Sequence, residues 1–321
     1  MVSSPSLPVL AIVVPCYNEE EILRDSHCVL RSLLADLADR RKISADSFVC
    51  YVDDGSRDKT WLIIQEIAQQ DGRVRGLKLS KNFGHQNALL AGMLWLRDEV
   101  DCVVTIDADL QDDAACIEQM IDRYQEGCAL VYGVRQSRAT DSFGKRWTAQ
   151  IFYRVMEFMG VDTVYNHADF RLASRAVLAE LAKYGEVNMF LRGIFPQIGF
   201  KSAIVSYDRK KRAAGETKFP LRRMLAFAWD GITSFSGFPL RMIFLLGCVI
   251  LVMSIGLAVW AFIPAIQGKA IQGWASTVIP IFIFSGLQMI SIGVLGEYLA
   301  KVYQEVKARP RFIVELDTNR K

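Results

Sequence analysis

The sequence has no G-x-G-x-x-G and no G-x-x-x-x-G-K-[ST], so dinucleotide and P-loop nucleotide chemistry lack their signatures. Its seven cysteines form no C-x-x-C pair, and its three histidines form no H-E-x-x-H. A structural zinc site is therefore not expected, and the odd, scattered cysteines read as buried reduced thiols. No basic residue precedes Arg24, and the first apolar run ends in Pro15 and three glutamates, not at a small-residue cleavage site. That start reads as a first buried strand rather than a secretion signal. A strong net charge is also missing: the formal value is +3 over 321 residues, which gives no pull towards nucleic acid.

What is present is apolar residue in excess, 51% of the chain beside 23% charged residues, with a mean hydropathy of +0.19. The excess concentrates after about residue 238. Before about residue 210, short Val- and Ile-rich runs alternate with helical patterns: "VLAIVVP", "SFVCYVDD", "VRGLKLS" and "CVVTIDAD" are each followed by an amphipathic stretch. Such βα repetition predicts an α/β fold with a mostly parallel, Rossmann-like sheet. Ligands bind such sheets outside the carboxyl ends of the strands. Three of those ends read "PCYNEE", "VDDGS" and "DADLQD", so carboxylates gather at the binding edge.

Further on, "RKKRAAGETKFPLRRM" leads into "LAFAWDGITSF", which predicts a basic amphipathic interface helix over 219–237. Met242 to Ile263 and Trp274 to Gly296 carry no charge, and basic residues flank the pair on both sides. Length and charge asymmetry predict two transmembrane helices within 238–300, with both termini cytoplasmic and a basic tail over 301–321. The expected location is a bacterial inner membrane, multi-pass, with the domain over 1–218 in the cytoplasm.

"TIDADLQDD" places Asp107 and Asp109 two apart at a strand end, where side chains two apart share a face. Two hard oxygen ligands with open positions suit Mg²⁺ or Mn²⁺ bridging a diphosphate. A calcium loop starting at Asp107 would have Glu118 at its twelfth position but needs glycine at its sixth, where Asp112 stands. Asp112 and Asp113 read as residues that begin a helix near Ala114.

Together "IVVPCYNEE", "VDDGSRDKT", "LSKNFGHQNALLAGM" and "DADLQD" resemble glycosyltransferase family 2 with its GT-A fold. "NHADFRLASR", "FLRG" and "RAAGETKF" narrow the resemblance to the polyisoprenyl-phosphate glycosyltransferases, both bactoprenol-glucosyltransferase-like and dolichol-phosphate-mannose-synthase-like. The resemblance implies that Pro15, Tyr17, Glu19, Asp53 and Asp54 hold the nucleoside. Asp107 also meets the donor and, with Asp109, the metal and diphosphate, while Gln111 lies beside the sugar. Asp169 and Arg171 face the reacting centre, and Arg192, Arg212 and Lys218 serve phosphates of donor or acceptor. Many relatives have Gly-Asp where this chain has Ala168-Asp169, and His167 reads as local structure.

The implied reaction is inverting transfer of a hexose, glucose or N-acetylglucosamine, from a UDP-sugar to polyprenyl (undecaprenyl) phosphate for cell-envelope glycans. Membrane lipids and a homo-oligomer, a tetramer among the options, are the other expected partners. A processive polysaccharide synthase would show Q-x-x-R-W, whereas "FGKRW" puts Phe143 at the glutamine position. A non-catalytic nucleotide-sugar-binding protein would not need the paired aspartates.

Overall fold

The computed structural model describes residues 7–135, 167–186, 191–207, 240, 242–250, 252–253, 256 and 274–318. The chain divides into two compact units, 1–154 with 162–218 and 308–321, and 155–161 with 219–307. The first contains the sheet. In chain order its elements are β1 (Leu10–Cys16), α1 (Leu23–Asp39), β2 (Phe48–Asp53), α2 (Thr60–Gln70), β3 (Val74–Leu79), α3 (His85–Leu96), β4 (Cys102–Thr105) and α4 (Cys116–Gln125). These are followed by β5 (Leu130–Arg135), β6 (His167–Ser174), α5 (Arg175–Leu181), α6 (Leu191–Ile198), β7 (Ser202–Tyr207) and, after the second unit, β8 (Val314–Asp317).

The eight strands lie in the order β7-β5-β6-β4-β1-β2-β3-β8. β1 to β4 pair in parallel, as the βα repetition predicts. β6 runs antiparallel between β4 and β5, and β8 runs antiparallel on the outside of β3. The result is the mixed α/β sheet of GT-A type. Every residue of β1, β2 and β4 is buried, because helices cover both faces and no alternation survives. α3 packs closely on this layer: a Cβ on Gly92 would lie 2.6 Å from a Val13 methyl and 2.8 Å from one of Val52.

Five cysteines, Cys16, Cys50, Cys102, Cys116 and Cys128, are buried and reduced, while Cys28 and Cys248 are exposed. Burial pushes the Cys50 and Cys102 thiols far above their usual range, so they act as small core hydrophobes.

The second unit overturns the expected membrane hairpin. Among the described residues no helix is long and apolar enough to cross a membrane. The inner-membrane, multi-pass location that rested on two spans is withdrawn with it. The helix α7 (Trp274–Val306) carries Ser276, Thr277, Pro280, Ser285, Gln288 and Ser291 in its uncharged part, then continues through Glu297, Lys301 and Glu305. Parts of the other expected span, and all of the expected interface helix over 219–237, lie outside the described residues.

Strand β8 brings the chain back to the first unit. Ser80 N–H donates to the Ile313 carbonyl, Thr318 N–H to the Gly76 carbonyl, and Lys78 pairs with Glu315. These contacts cover the edge that β3 would otherwise present to solvent.

Candidate active site

β1 is followed in the sheet by β2 on one side and β4 on the other, so the chain reverses its direction of winding there. A cleft of about 420 Å³ opens at this point, outside the carboxyl ends of the three strands. Pro15, Cys16, Tyr17 and Glu19 line it from β1, Asp54 from β2, Asn82, Gly84, His85 and Ala88 from the β3–α3 connection, and Asp107, Ala108 and Asp109 from β4.

The two loops after β1 and β2 are stitched to each other. Asn18 N–H donates to Ser56 Oγ, Glu19 N–H to Thr60 Oγ1, and Arg57 N–H to Asn18 Oδ1, at 3.0, 2.9 and 2.9 Å. Asn18 takes a left-handed conformation, which asparagine tolerates. The expected nucleoside residues are thereby set on a fixed frame.

The neighbouring aspartates of "VDDGS" part company. Asp53 is fully buried; one oxygen accepts the Ser56 N–H at 3.2 Å, and Oδ2 has no hydrogen-bond partner. Burial raises its pKa, against the opposing pull of Ser56. Asp54 instead accepts two backbone N–H groups, Phe83 on Oδ1 at 2.7 Å and Gly84 on Oδ2 at 2.9 Å. Gly55 lets the turns meet, since a Cβ there would lie 2.4 Å from the Lys81 carbonyl carbon.

On β4, Asp109 accepts from Gln111 twice, at Oδ2 from the side-chain amide (2.6 Å) and at Oδ1 from the backbone N–H (3.3 Å). Gln111 is thus brought to Asp109. Burial first, then the charges of Asp112, Asp169 and Asp109, raise the Asp107 carboxyl, with His85 pulling the other way. Asp113 Oδ1 accepts from Ala115 N–H near the start of α4, as a helix-beginning residue should. Asp112 does not follow suit. It is buried and accepts the Tyr207 hydroxyl at 2.6 Å, a contact with β7 across 95 residues of chain.

β6 meets the cleft through His85, which Asp169 approaches. Asp169 Oδ1 accepts from Arg171 at 2.6 Å, and Oδ2 accepts from Arg192 at 3.0 Å. Burial alone would raise the Asp169 carboxyl; Arg192, His85 and Arg171 more than reverse this and hold it well below the usual carboxylate range. Arg171 is 1% exposed, donates to the Leu191 carbonyl and lies 4.6 Å over the Phe195 ring. It supports Asp169 from inside the core. Arg212 and Lys218 lie outside the described residues.

His85 is the residue that reading the motifs missed. Its Nε2 lies 3.6 Å from Asp107 Oδ1 and 3.5 Å from Asp169 Oδ2. Burial disfavours charge on the ring, but Asp169 and Asp107 outweigh it and raise its pKa.

Residues 11–182 match the model of Glycosyl transferase family 2. The chain belongs to glycosyl transferase family 2. This family 2 glycosyltransferase is 50% identical over 312 residues to the "Uncharacterized glycosyltransferase YkoT" of Bacillus subtilis (strain 168), covering 97% of this chain and 93% of that one. It is 36% identical to the "Prophage bactoprenol glucosyl transferase homolog" of Escherichia coli (strain K12), over 95% and 98% of the two chains. It is 35% identical to the "Bactoprenol glucosyl transferase" of Shigella phage SfX, again over 95% and 98%. Every residue that lines the cleft of this family 2 glycosyltransferase falls within the matched residues.

Proposed function

We propose that this enzyme transfers a hexose from a UDP-sugar to a polyprenyl phosphate in a single inverting displacement. The reading is supported by full-length similarity to bactoprenol glucosyl transferases. The observation that carries it is the cleft itself, lined by Asp107, Asp109 and His85, with the Asp169–Arg192 pair reached through His85. Pro15, Tyr17, Glu19 and Asp53 would hold the nucleoside, and the unpartnered Asp53 oxygen suits an N–H donor from a base or a bound water.

Among the described residues no group of three or more His, Cys, Asp or Glu could hold a metal as a closed protein cage. Asp107 and Asp109, just beyond β4, both line the cleft and would be the two hard oxygen donors to hold a divalent cation there. Mg²⁺ or Mn²⁺ held there would offset charge developing on the departing nucleoside diphosphate.

On the acceptor side, a phosphate monoester has a second pKa of about 6 and arrives largely ionised at neutral pH. A strong base is not needed. Asp169, ion-paired and held below the usual range, is better suited to orienting Arg192 and stabilising positive charge at the sugar than to taking a proton. Arg192 would hold the acceptor phosphate against repulsion from the donor, with Arg212 and Lys218 in the same service.

The test is a panel of UDP-sugars with undecaprenyl phosphate and Mg²⁺ or Mn²⁺, read by UDP release and mass spectrometry of the lipid. One sugar per lipid phosphate, with inverted anomeric configuration, is expected. UDP release indifferent to lipid, or polymeric product, overturns the reading.

A further inference from the structure

Asp107, two residues beyond β4, and Asp169, on β6, both approach His85, and two ionised carboxylates brought this close repel. The His85 ring stands between them, with Nε2 within 3.6 Å of both. Its placement is set from elsewhere. His85 is the first residue of α3, preceded by Gly84 with φ of +91°, a turn that favours glycine. The N–H groups of Phe83 and Gly84, just before it, are the two that Asp54 accepts. Gly55 brings the same turn against Lys81 and Asn82. The next residue, Gln86, accepts the N–H of Leu191 at 3.0 Å, at the start of the helix that carries Arg192. The beginning of α3 therefore reaches Asp107 and Asp169 through His85 and the Arg192 helix through Gln86, and Asp54 fixes where it begins.

We propose that His85 is a positioning residue that sets the spacing of Asp107 and Asp169, and that Asp54 acts on the reaction through His85. The proposal rests on the sugar-transfer reading and deepens it. It moves Asp54 from contacting the nucleotide to holding a loop, because both of its oxygens are already aimed at backbone N–H groups.

The test uses the full chain and the variants Asp54→Asn, His85→Asn, His85→Gln and the double Asp54→Asn/His85→Asn. His85→Asn should lower kcat about tenfold to a hundredfold, the scale of a displaced reacting geometry, with the UDP-sugar KM within about threefold. His85→Gln, which can place an N–H in the same gap, should recover part of the loss. Asp54→Asn should show the same kcat-weighted defect, and the double variant should be no worse than His85→Asn alone. UDP affinity by calorimetry without metal should be unchanged in Asp54→Asn.

A second readout does not need turnover. With three histidines in the chain, the imidazole carbon–proton spectrum is simple, and the signal lost in His85→Asn identifies His85. That signal should move in Asp54→Asn, Asp107→Asn and Asp169→Asn while the other two stay, which also shows that the variants fold. A His85 signal indifferent to Asp107 and Asp169 overturns the proposal. So do additive losses in the double variant, or a tenfold loss of UDP affinity in Asp54→Asn with the His85 signal unmoved. If the wild type transfers no sugar to polyprenyl phosphate, the proposed function falls, while the spectra and UDP affinities still decide the role of His85.

Discussion

Arg171→Met separates support from contact at the candidate site. Arg171 is fully buried, so methionine replaces most of its volume and the cost comes from lost polar contacts rather than from a cavity. Removing one partner of a buried ion pair costs about 3–5 kcal/mol when the other is left alone. Asp169 would not be left alone, because Arg192 still donates to it at 3.0 Å. That argues for the lower end. The bond to the Leu191 carbonyl and the stacking on Phe195 disappear too, each worth about 1 kcal/mol or less. A destabilisation of about 3 kcal/mol is expected. With a urea slope of about 1–3 kcal/mol per molar, the midpoint should fall by about 1–3 M. Urea unfolding followed by circular dichroism measures this, and UDP release measures turnover at a temperature where the variant stays folded. Turnover should drop because Asp169 is no longer held from behind, while the donor KM stays close to wild type. A midpoint within experimental error of wild type would refute the assignment of Arg171 as the internal support of Asp169. Unchanged stability with abolished donor binding would refute it too, and would make Arg171 a substrate contact.

Tyr207→Phe removes the hydroxyl whose hydrogen bond the buried Asp112 accepts. A loss of about 1–3 kcal/mol is expected, with turnover preserved, and urea unfolding beside UDP release checks both halves. Gly92→Ala drives a methyl to 2.6 Å from Val13 and 2.8 Å from Val52, both stiff β-branched side chains on strands that cannot retreat. Overpacking of this kind should cost about 1–3 kcal/mol, seen as a lower melting temperature; an unchanged melt would show that α3 can slide on the sheet.

The sequence made the strand ends legible because each buried run stops at a turn residue and a carboxylate. Residues at the ends of β1, β2 and β4, Asp107 and Asp109 among them, line the cleft. Other parts depend on partners far away in the chain. Asp112 and Asp113 look alike in "QDD", yet one caps locally and the other is claimed by Tyr207, 95 residues later. Asp53 and Asp54 look alike in "VDDGS", yet only the fold shows that one is left with a free oxygen and the other is spent on a loop. His85 sits in "FGHQN", which reads as an ordinary helix start, and its meaning appears only when β4 and β6 converge on it. The insertion of β6 between β4 and β5, antiparallel to both, leaves no periodic trace. The two expected spans are not found: among the described residues no helix is long and apolar enough to cross a membrane.

Strand β8 has a consequence for the order of events in synthesis. Gly76 is bonded to Thr318 across a sequence separation of 242 residues. At about 5–20 residues per second, a ribosome needs about 10–50 s to make that intervening chain. For that interval the nascent sheet has a bare β3 edge while β1, β2 and β4 are already available to pair. The enzyme's first unit is therefore finished last, by its final strand, and the exposed edge is a window in which a chaperone or a second nascent chain competes with the protein's own tail.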